Sequence, residues 1–178
     1  VPFGSVANAA QMERGLHLRV TDIQRIAPQS VDPSIKNYHW LDLIAGLYQA
    51  YDNGADNALL IDARGNITEG PGFNVFALCG GELVTPQAGV LPGITRRTVM
   101  EICDMLDIPA AACELPADAL RQAGEIFITS TAGGVMPVTL LDGRLVGEGL
   151  PGPVTDRVRQ TYWDWHREPH CAQPVDYP

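Results

Sequence analysis

The sequence predicts an α+β domain of mixed strands and hairpins with packed helices. Two-residue turn signals at Arg64-Gly65-Asn66, Gly80-Gly81 and Asp142-Gly143 separate short apolar runs, the mark of strand hairpins. Helical patterns occur singly between them rather than alternating strand by strand, which argues against a repeating parallel unit. Apolar residues make up 46% of 178 positions, enough for one substantial core.

Each element follows from its local pattern. Residues 17–26 alternate apolar and polar side chains, as a half-buried strand requires. Pro28 and Pro33 bracket a loop that carries Lys36. In residues 40–51, Trp40, Leu43, Ile44, Leu47 and Tyr51 recur at helical spacing, and Asn53-Gly54 ends the pattern. Residues 58–62 form a short buried strand, and 67–69 and 73–78 are strands around the interruption Gly70-Pro71-Gly72. After Gly80-Gly81 comes a strand at 83–85. A helix over 96–106 shows an apolar stripe of Val99, Met100, Ile102, Cys103 and Leu106. Residues 116–122 read as a short helix and 125–129 as a buried strand. A hairpin joins 138–141 to 145–146, and a last helix covers 153–166 before an irregular tail.

Composition excludes several functions. A net charge of −9 argues against nucleic acid, whose phosphates need clustered Lys and Arg. One bound phosphate remains compatible, because a few backbone N–H groups can hold it. No apolar run approaches the ~18 residues of a membrane span. Cys79, Cys103, Cys113 and Cys171 show neither metal-ligand spacing nor a disulfide framework, and read as buried thiols of a cytoplasmic protein. No metal site is expected. His17, His39, His166 and His170 lack partners at diagnostic spacing; Trp163 and Trp165 read as packing or interface residues.

Lys36 is the only lysine, beside eleven arginines. On the order of ten lysines would be usual at this length. Composition bias toward Arg explains such scarcity as well as function does. The setting separates the two: a single amine at an element boundary, where packing can fix and desolvate it, suits carbonyl chemistry.

Three further strings carry candidate chemistry. In Thr68-Glu69-Gly70-Pro71-Gly72-Phe73-Asn74 an irregular backbone interrupts an apolar hairpin. Glu69 there is either a partner for a cationic heterocycle or a solvated residue on a bulge. In Gly89-Val90-Leu91-Pro92-Gly93-Ile94-Thr95-Arg96-Arg97, Thr95 occupies a helix N-cap position, and the N–H groups beyond it could cup a phosphate. An ordinary capped helix start would look the same, with Arg96 and Arg97 on a solvated face. In Ser130-Thr131-Ala132-Gly133-Gly134 a strand runs into hydroxyls and glycines, which suits an anion or a plain turn.

Taken together, these strings resemble the cofactor domain of fold-type IV (class IV) pyridoxal-phosphate aminotransferases, the C-terminal domain of the D-amino acid aminotransferase-like fold. The likeness runs from about Arg25 to Trp165 in the family's order. It implies pyridoxal 5'-phosphate as cofactor and Lys36 as the Schiff-base and proton-shuttling lysine. It implies that Glu69 pairs with the pyridinium nitrogen, that Leu91 lies against one ring face, and that Ile94, Thr95 and Thr131 form the phosphate cup. Phe73, Ala132, Gly133 and Gly134 match the substrate side. The strings 35–40, 69–74 and 131–134 are most similar to (R)-selective amine transaminases, so an (R)-amine or D-type donor with a 2-oxo acid acceptor is expected. Branched-chain aminotransferases and aminodeoxychorismate lyase are the alternatives. By the resemblance, residues 1–25 end an interdomain region, 26–168 bind the cofactor and 169–178 are a tail. The family's N-terminal domain is not found in this chain, which opens on Val1-Pro2-Phe3-Gly4. The chain alone would then be an inactive module, completed by that domain as a separate fragment. A homodimer or larger homo-oligomer is the implied assembly.

Overall fold

The computed structural model describes residues 9–169 and 171. In chain order the elements are α1 (Ala9–Arg14), β1 (Leu16–Gln24), α2 (Leu41–Asp52), β2 (Asn57–Ile61), β3 (Asn74–Cys79), β4 (Glu82–Pro86), α3 (Ile94–Met105), β5 (Ala110–Cys113), α4 (Ala117–Arg121), β6 (Glu125–Ser130), β7 (Gly134–Leu141), β8 (Arg144–Leu145) and α5 (Pro153–Trp165). The strands form one mixed sheet in the order β2-β1-β7-β6-β3-β4-β5, with β8 as a hairpin on β7. β1 runs parallel to β2 and β7, and β4 to β5; β3, β4, β6 and β7 are joined by antiparallel pairs. The expected α+β class holds.

Residues 66–70 link the two edges of this sheet. The Thr68 N–H donates to Leu60 O of β2, and the Leu60 N–H donates back to Glu69 O. The Ile67 N–H donates to Leu115 O just beyond β5. The strand expected at 67–69 is therefore a bridging segment, held by isolated pairs such as Ile61 with Ile67. It encloses a core of Leu16, Leu18, Leu59, Ile67, Val75 and Ile128.

Continuous apolar runs mark strands covered on both faces. In β2, Leu59 enters the central core, while Ala58 and Leu60 pack with Leu43 and Ala50 of α2. In β3, Val75 and Ala77 face that core and Phe76 faces the opposite layer. There Phe76 stacks on Phe127 of β6 at 5.0 Å under Val99 and Ile102 of α3 and Val158 of α5. Burying each ring contributes roughly 2–3 kcal/mol. The start of α5 is capped by Glu125 of β6, whose carboxylate accepts from the Val154 and Thr155 N–H groups and the Thr155 hydroxyl. A buried carboxylate at a helix N-terminus is favourable in both dipole and hydrogen bonding.

Several expectations need correction. α1 and β5 were not expected; the Ala-rich run of β5 has no alternation to announce a strand. Cys103 is buried, and burial pushes its thiol up to about 11. Cys79 and Cys113 are half-buried and Cys171 is exposed, so buried thiols describe one of the four. Arg97 is exposed as expected, but Arg96 is half-buried and donates to the Thr85 hydroxyl and Pro86 O. Residues 1–8, His170 and residues 172–178 lie outside the described residues. Among those described, no helix is long and apolar enough to cross a membrane, and no cluster of His, Cys, Asp and Glu could hold a metal ion.

Candidate active site

One cleft is lined by Arg25, Lys36, Glu69, Phe73 and Leu91, with Trp40 and Gly70 beside them. Four residues singled out from the sequence, Lys36, Glu69, Phe73 and Leu91, thus meet although they come from three separate stretches of the chain. The hollow itself measures ≈ 60 Å³. That is room for about two waters, so this chain supplies a floor rather than an enclosed chamber.

Glu69 is 6% exposed, not a solvated rim residue. Its Oε1 accepts from Arg25 Nε at 3.2 Å and Nη2 at 3.1 Å, and its Oε2 accepts from the Leu91 N–H at 2.9 Å. Burial raises the carboxyl above its ordinary value, against the lowering by the Leu91 N–H and Arg25. Oε2 keeps a lone pair for one more donor.

The same loop is gripped from a second side. Asn74, the first residue of β3, donates from Nδ2 to Leu91 O at 2.9 Å. Leu91 is therefore held through both its N–H and its carbonyl by the two ends of the Gly-Pro-Gly-Phe interruption. Gly93 follows, and a Cβ there would overlap Asn74 Oδ1, so only glycine permits this approach.

Gly93, not Thr95, is the N-cap of α3, and it offers no side-chain cap. The Ile94 and Thr95 N–H groups therefore have no partner within the helix. The Thr95 side chain is buried inside the first turn and Ile94 is 71% exposed. The turn after β6 lies at the same end of the sheet, because Asn74 pairs with Thr129. Thr131 and Ala132 are exposed there, and the Gly133 N–H donates to Ser130 Oγ. Gly134 has φ 62°, and a Cβ on it would strike Tyr162 and Trp163 of α5. These residues do not line the cleft; Ile94 and Thr95 are joined to it through Leu91 and Gly93.

Lys36 stands on the loop between β1 and α2, which is built from local turns such as Asp32 accepting from the Ser34 N–H and hydroxyl. Its side chain is exposed and makes no hydrogen bond within the described residues. The expected desolvation is not provided by this chain, because Lys36 borders the cleft from a loop whose residues are mostly exposed.

Sequence reasoning missed Arg25 and Asp42. Arg25 Nη1 donates to Asp42 Oδ2 at 2.5 Å, and the Ile26 N–H donates to the same oxygen at 2.7 Å. The Asp42 carboxyl feels burial first, yet the Ile26 N–H, Arg25 and the Leu43 N–H outweigh it and hold the carboxyl below its ordinary value. The signals were an arginine at the end of an alternating strand and an acid in a first helical turn, with nothing to say that they meet.

The donor set suits a cofactor with a carbonyl, a cationic ring nitrogen and a phosphate. It offers one free amine, one buried carboxylate with an open lone pair, and helix N–H groups without intrahelical partners. Residues 4–141 match the model of the family described as amino-transferase class IV. The branched-chain-amino-acid aminotransferase of Escherichia coli K12 is 33% identical over 91% of this chain and 53% of its own length. A putative branched-chain-amino-acid aminotransferase of Methanocaldococcus jannaschii is 30% identical over 85% and 54%. Among solved structures, the E. coli branched-chain amino acid aminotransferase superposes with a TM-score of 0.86 at 32% identity, over 92% of this chain and 55% of that one. The branched-chain amino acid aminotransferase of Thermobaculum terrenum, solved in its PLP-form, gives 0.83 at 28%, over 89% and 53%. The chain spans about half the length of these relatives. By its sequence over residues 4–141 and by its fold, it belongs to the class IV amino-transferases.

Proposed function

We propose that this chain is the cofactor-holding part of a pyridoxal-phosphate-dependent transaminase, which moves an amino group between an amine or amino acid and a 2-oxo acid. The observation that carries the reading is the single cleft shared by the only lysine and the buried Glu69. Bound there, pyridoxal phosphate would supply an electron sink for negative charge at the substrate carbon. Lys36 Nζ would hold the cofactor's carbonyl carbon and, once released, move the proton at the substrate carbon. Glu69 Oε2 would accept from the ring nitrogen and keep it protonated. The Ile94 and Thr95 N–H groups and the hydroxyls of Thr95 and Thr131 would take the phosphate, and Leu91 would cover a ring face. Phe73, Ala132, Gly133 and Gly134 would border the substrate.

Two donor classes are open. The names of the relatives favour branched-chain amino acids; the string Ile35-Lys36-Asn37-Tyr38-His39-Trp40 and Phe73 favour (R)-amines or D-amino acids. As partners we propose a second copy of the protein and an N-terminal domain. Support comes from apolar side chains left exposed, Ile35 lining the cleft and Tyr38, Leu41 and Tyr48 following it on the same loop and on α2. A cytoplasmic setting fits four cysteines that all stand as free thiols.

The test is turnover by the intact protein with pyridoxal phosphate and 2-oxoglutarate or pyruvate, using L-leucine or (R)-1-phenylethylamine as donor. Product that forms only when both donor and 2-oxo acid are present supports transamination, and the better donor selects the class. Product from donor alone would point to a lyase. The 178-residue chain by itself is expected to lack turnover, and full activity from a homogeneous preparation would contradict that part of the reading.

A further inference from the structure

Arg25 occupies an unusual position for a residue that no sequence pattern marks. It follows β1 directly, and its backbone is fixed by the Arg25 N–H donating to Ile61 O at 2.8 Å. Its side chain is 7% exposed and is shared between two carboxylates, Glu69 at 8% and Asp42 at 12%. Nε and Nη2 both reach Glu69 Oε1, which leaves Oε2 directed to the Leu91 N–H. Nη1 reaches Asp42 Oδ2, the oxygen that also receives the Ile26 N–H. Asp42 lies in the first turn of α2 and its Oδ1 accepts from the Leu43 N–H. The loop that carries Lys36 therefore begins and ends on one clasp: residues 25 and 26 on one side, residue 42 on the other.

We propose that Arg25 is a positioning residue of this site, fixing Glu69 through Oε1 and, through Asp42, closing the base of the Lys36 loop, so that Glu69 Oε2 and Lys36 are presented to one ligand. The proposal rests on the transaminase reading for the identity of that ligand, but the clasp itself does not need a ligand to be tested. A guanidinium suits this place because its planar fork serves two acceptors at once, whereas a lysine would serve them as a point charge. It also answers a difficulty of the site: two carboxylates lie in a buried place, and one cation favours the charged form of both, beside the Leu91 N–H on Glu69 and the Ile26 and Leu43 N–H groups on Asp42. The charged groups around Glu69 are Arg25 after β1, Asp42 on α2 and Lys36 on the loop between them.

Two substitutions move Glu69 in opposite directions if the clasp works as described. Arg25→Met removes the cation and should raise the Glu69 titration midpoint by about one pH unit or more. Asp42→Asn removes the competing carboxylate and leaves Arg25 to Glu69 alone, so it should lower the midpoint. The measurement is the 13C chemical shift of the Glu69 carboxyl against pH in the cofactor-free 178-residue chain, assigned with Glu69→Gln. A merely structural Arg25 would not produce this pair of opposite shifts. A midpoint in Arg25→Met within about 0.3 unit of the parent, or one in Asp42→Asn that rises, would overturn the proposal. If Arg25→Met does not fold, the direction in the near-isosteric Asp42→Asn decides alone. Borohydride trapping of pyridoxal phosphate on Lys36, run on the parent chain, tests the transaminase reading separately. Loss of that label with the opposite shifts intact would leave the clasp standing without its ligand.

Discussion

Where Glu69 is buried and receives Arg25 and the Leu91 N–H, Lys36 in the same cleft is exposed and makes no hydrogen bond within the described residues. Glu69 belongs to the segment that links the edges of the sheet, so forming the core also sets this carboxylate. Lys36 belongs to a loop whose hydrogen bonds are local, and only its base is tied to the core, through Arg25, Ile26 and Asp42. The acid is thus held rigid before any ligand arrives, and the amine is not. A buried acid needs its partners in place to stay charged, whereas an amine that must bond and release benefits from freedom.

The contrast can be broken most strongly at Arg25. Removing one partner of a buried charge network strands the others, so Arg25→Met should cost about 3 kcal/mol or more, while Lys36→Met should stay within about 0.5 kcal/mol of the parent. Urea unfolding of the two variants measures both numbers, and equal losses would erase the distinction. Gly70→Ala comes next. Its Cβ would overlap both Ala58 O and the Phe73 ring, which predicts a loss of about 2–3 kcal/mol. Two residues on, Gly72→Ala meets only Trp40 at 3.7 Å but carries φ 86°, so about 1 kcal/mol is expected.

Acid and base sharpen the comparison within the clasp. The Glu69 carboxyl is raised from 4.5, so its contribution to stability is complete below that pH and is lost as pH rises through the raised value. Asp42 is depressed from 3.8, so its contribution is complete above 3.8 and is lost as pH falls through the depressed value. Relative to the parent, Glu69→Gln should therefore gain ground above pH 4.5, and Asp42→Asn should gain ground below pH 3.8. Melting temperatures of the three proteins across about pH 3–8 would show parallel curves if neither carboxyl is perturbed by folding.

Much of this was legible because alternation and turn residues report local structure. The strands at 17–26 and 58–62, the hairpin at 142–143 and the three longer helices stand within a few residues of their expected limits, whereas the turn at 64–66 leads into the bridging segment rather than a second strand. The order of strands around β1 was not, since no local pattern says that Leu16 pairs with Val138. In the site, Lys36, Glu69, Phe73 and Leu91 were expected and do meet, whereas the helix cap moved from Thr95 to Gly93. That shift follows from Asn74, whose side chain fills the space any Cβ at 93 would need. Arg25 and Asp42 were invisible because their roles come from partners 17 and 44 residues distant.

Lys36 carries the only ε-amine in the chain, which makes one measurement unusually direct. Purified protein is incubated with pyridoxal phosphate, reduced with borohydride, digested and mapped by mass spectrometry. A single phosphopyridoxyl group on Lys36, absent in Lys36→Ala and weakened in Arg25→Met, is the result expected of a prebuilt acid facing a free amine. No label at Lys36 in a folded protein, or a label confined to the terminal amine, would contradict it.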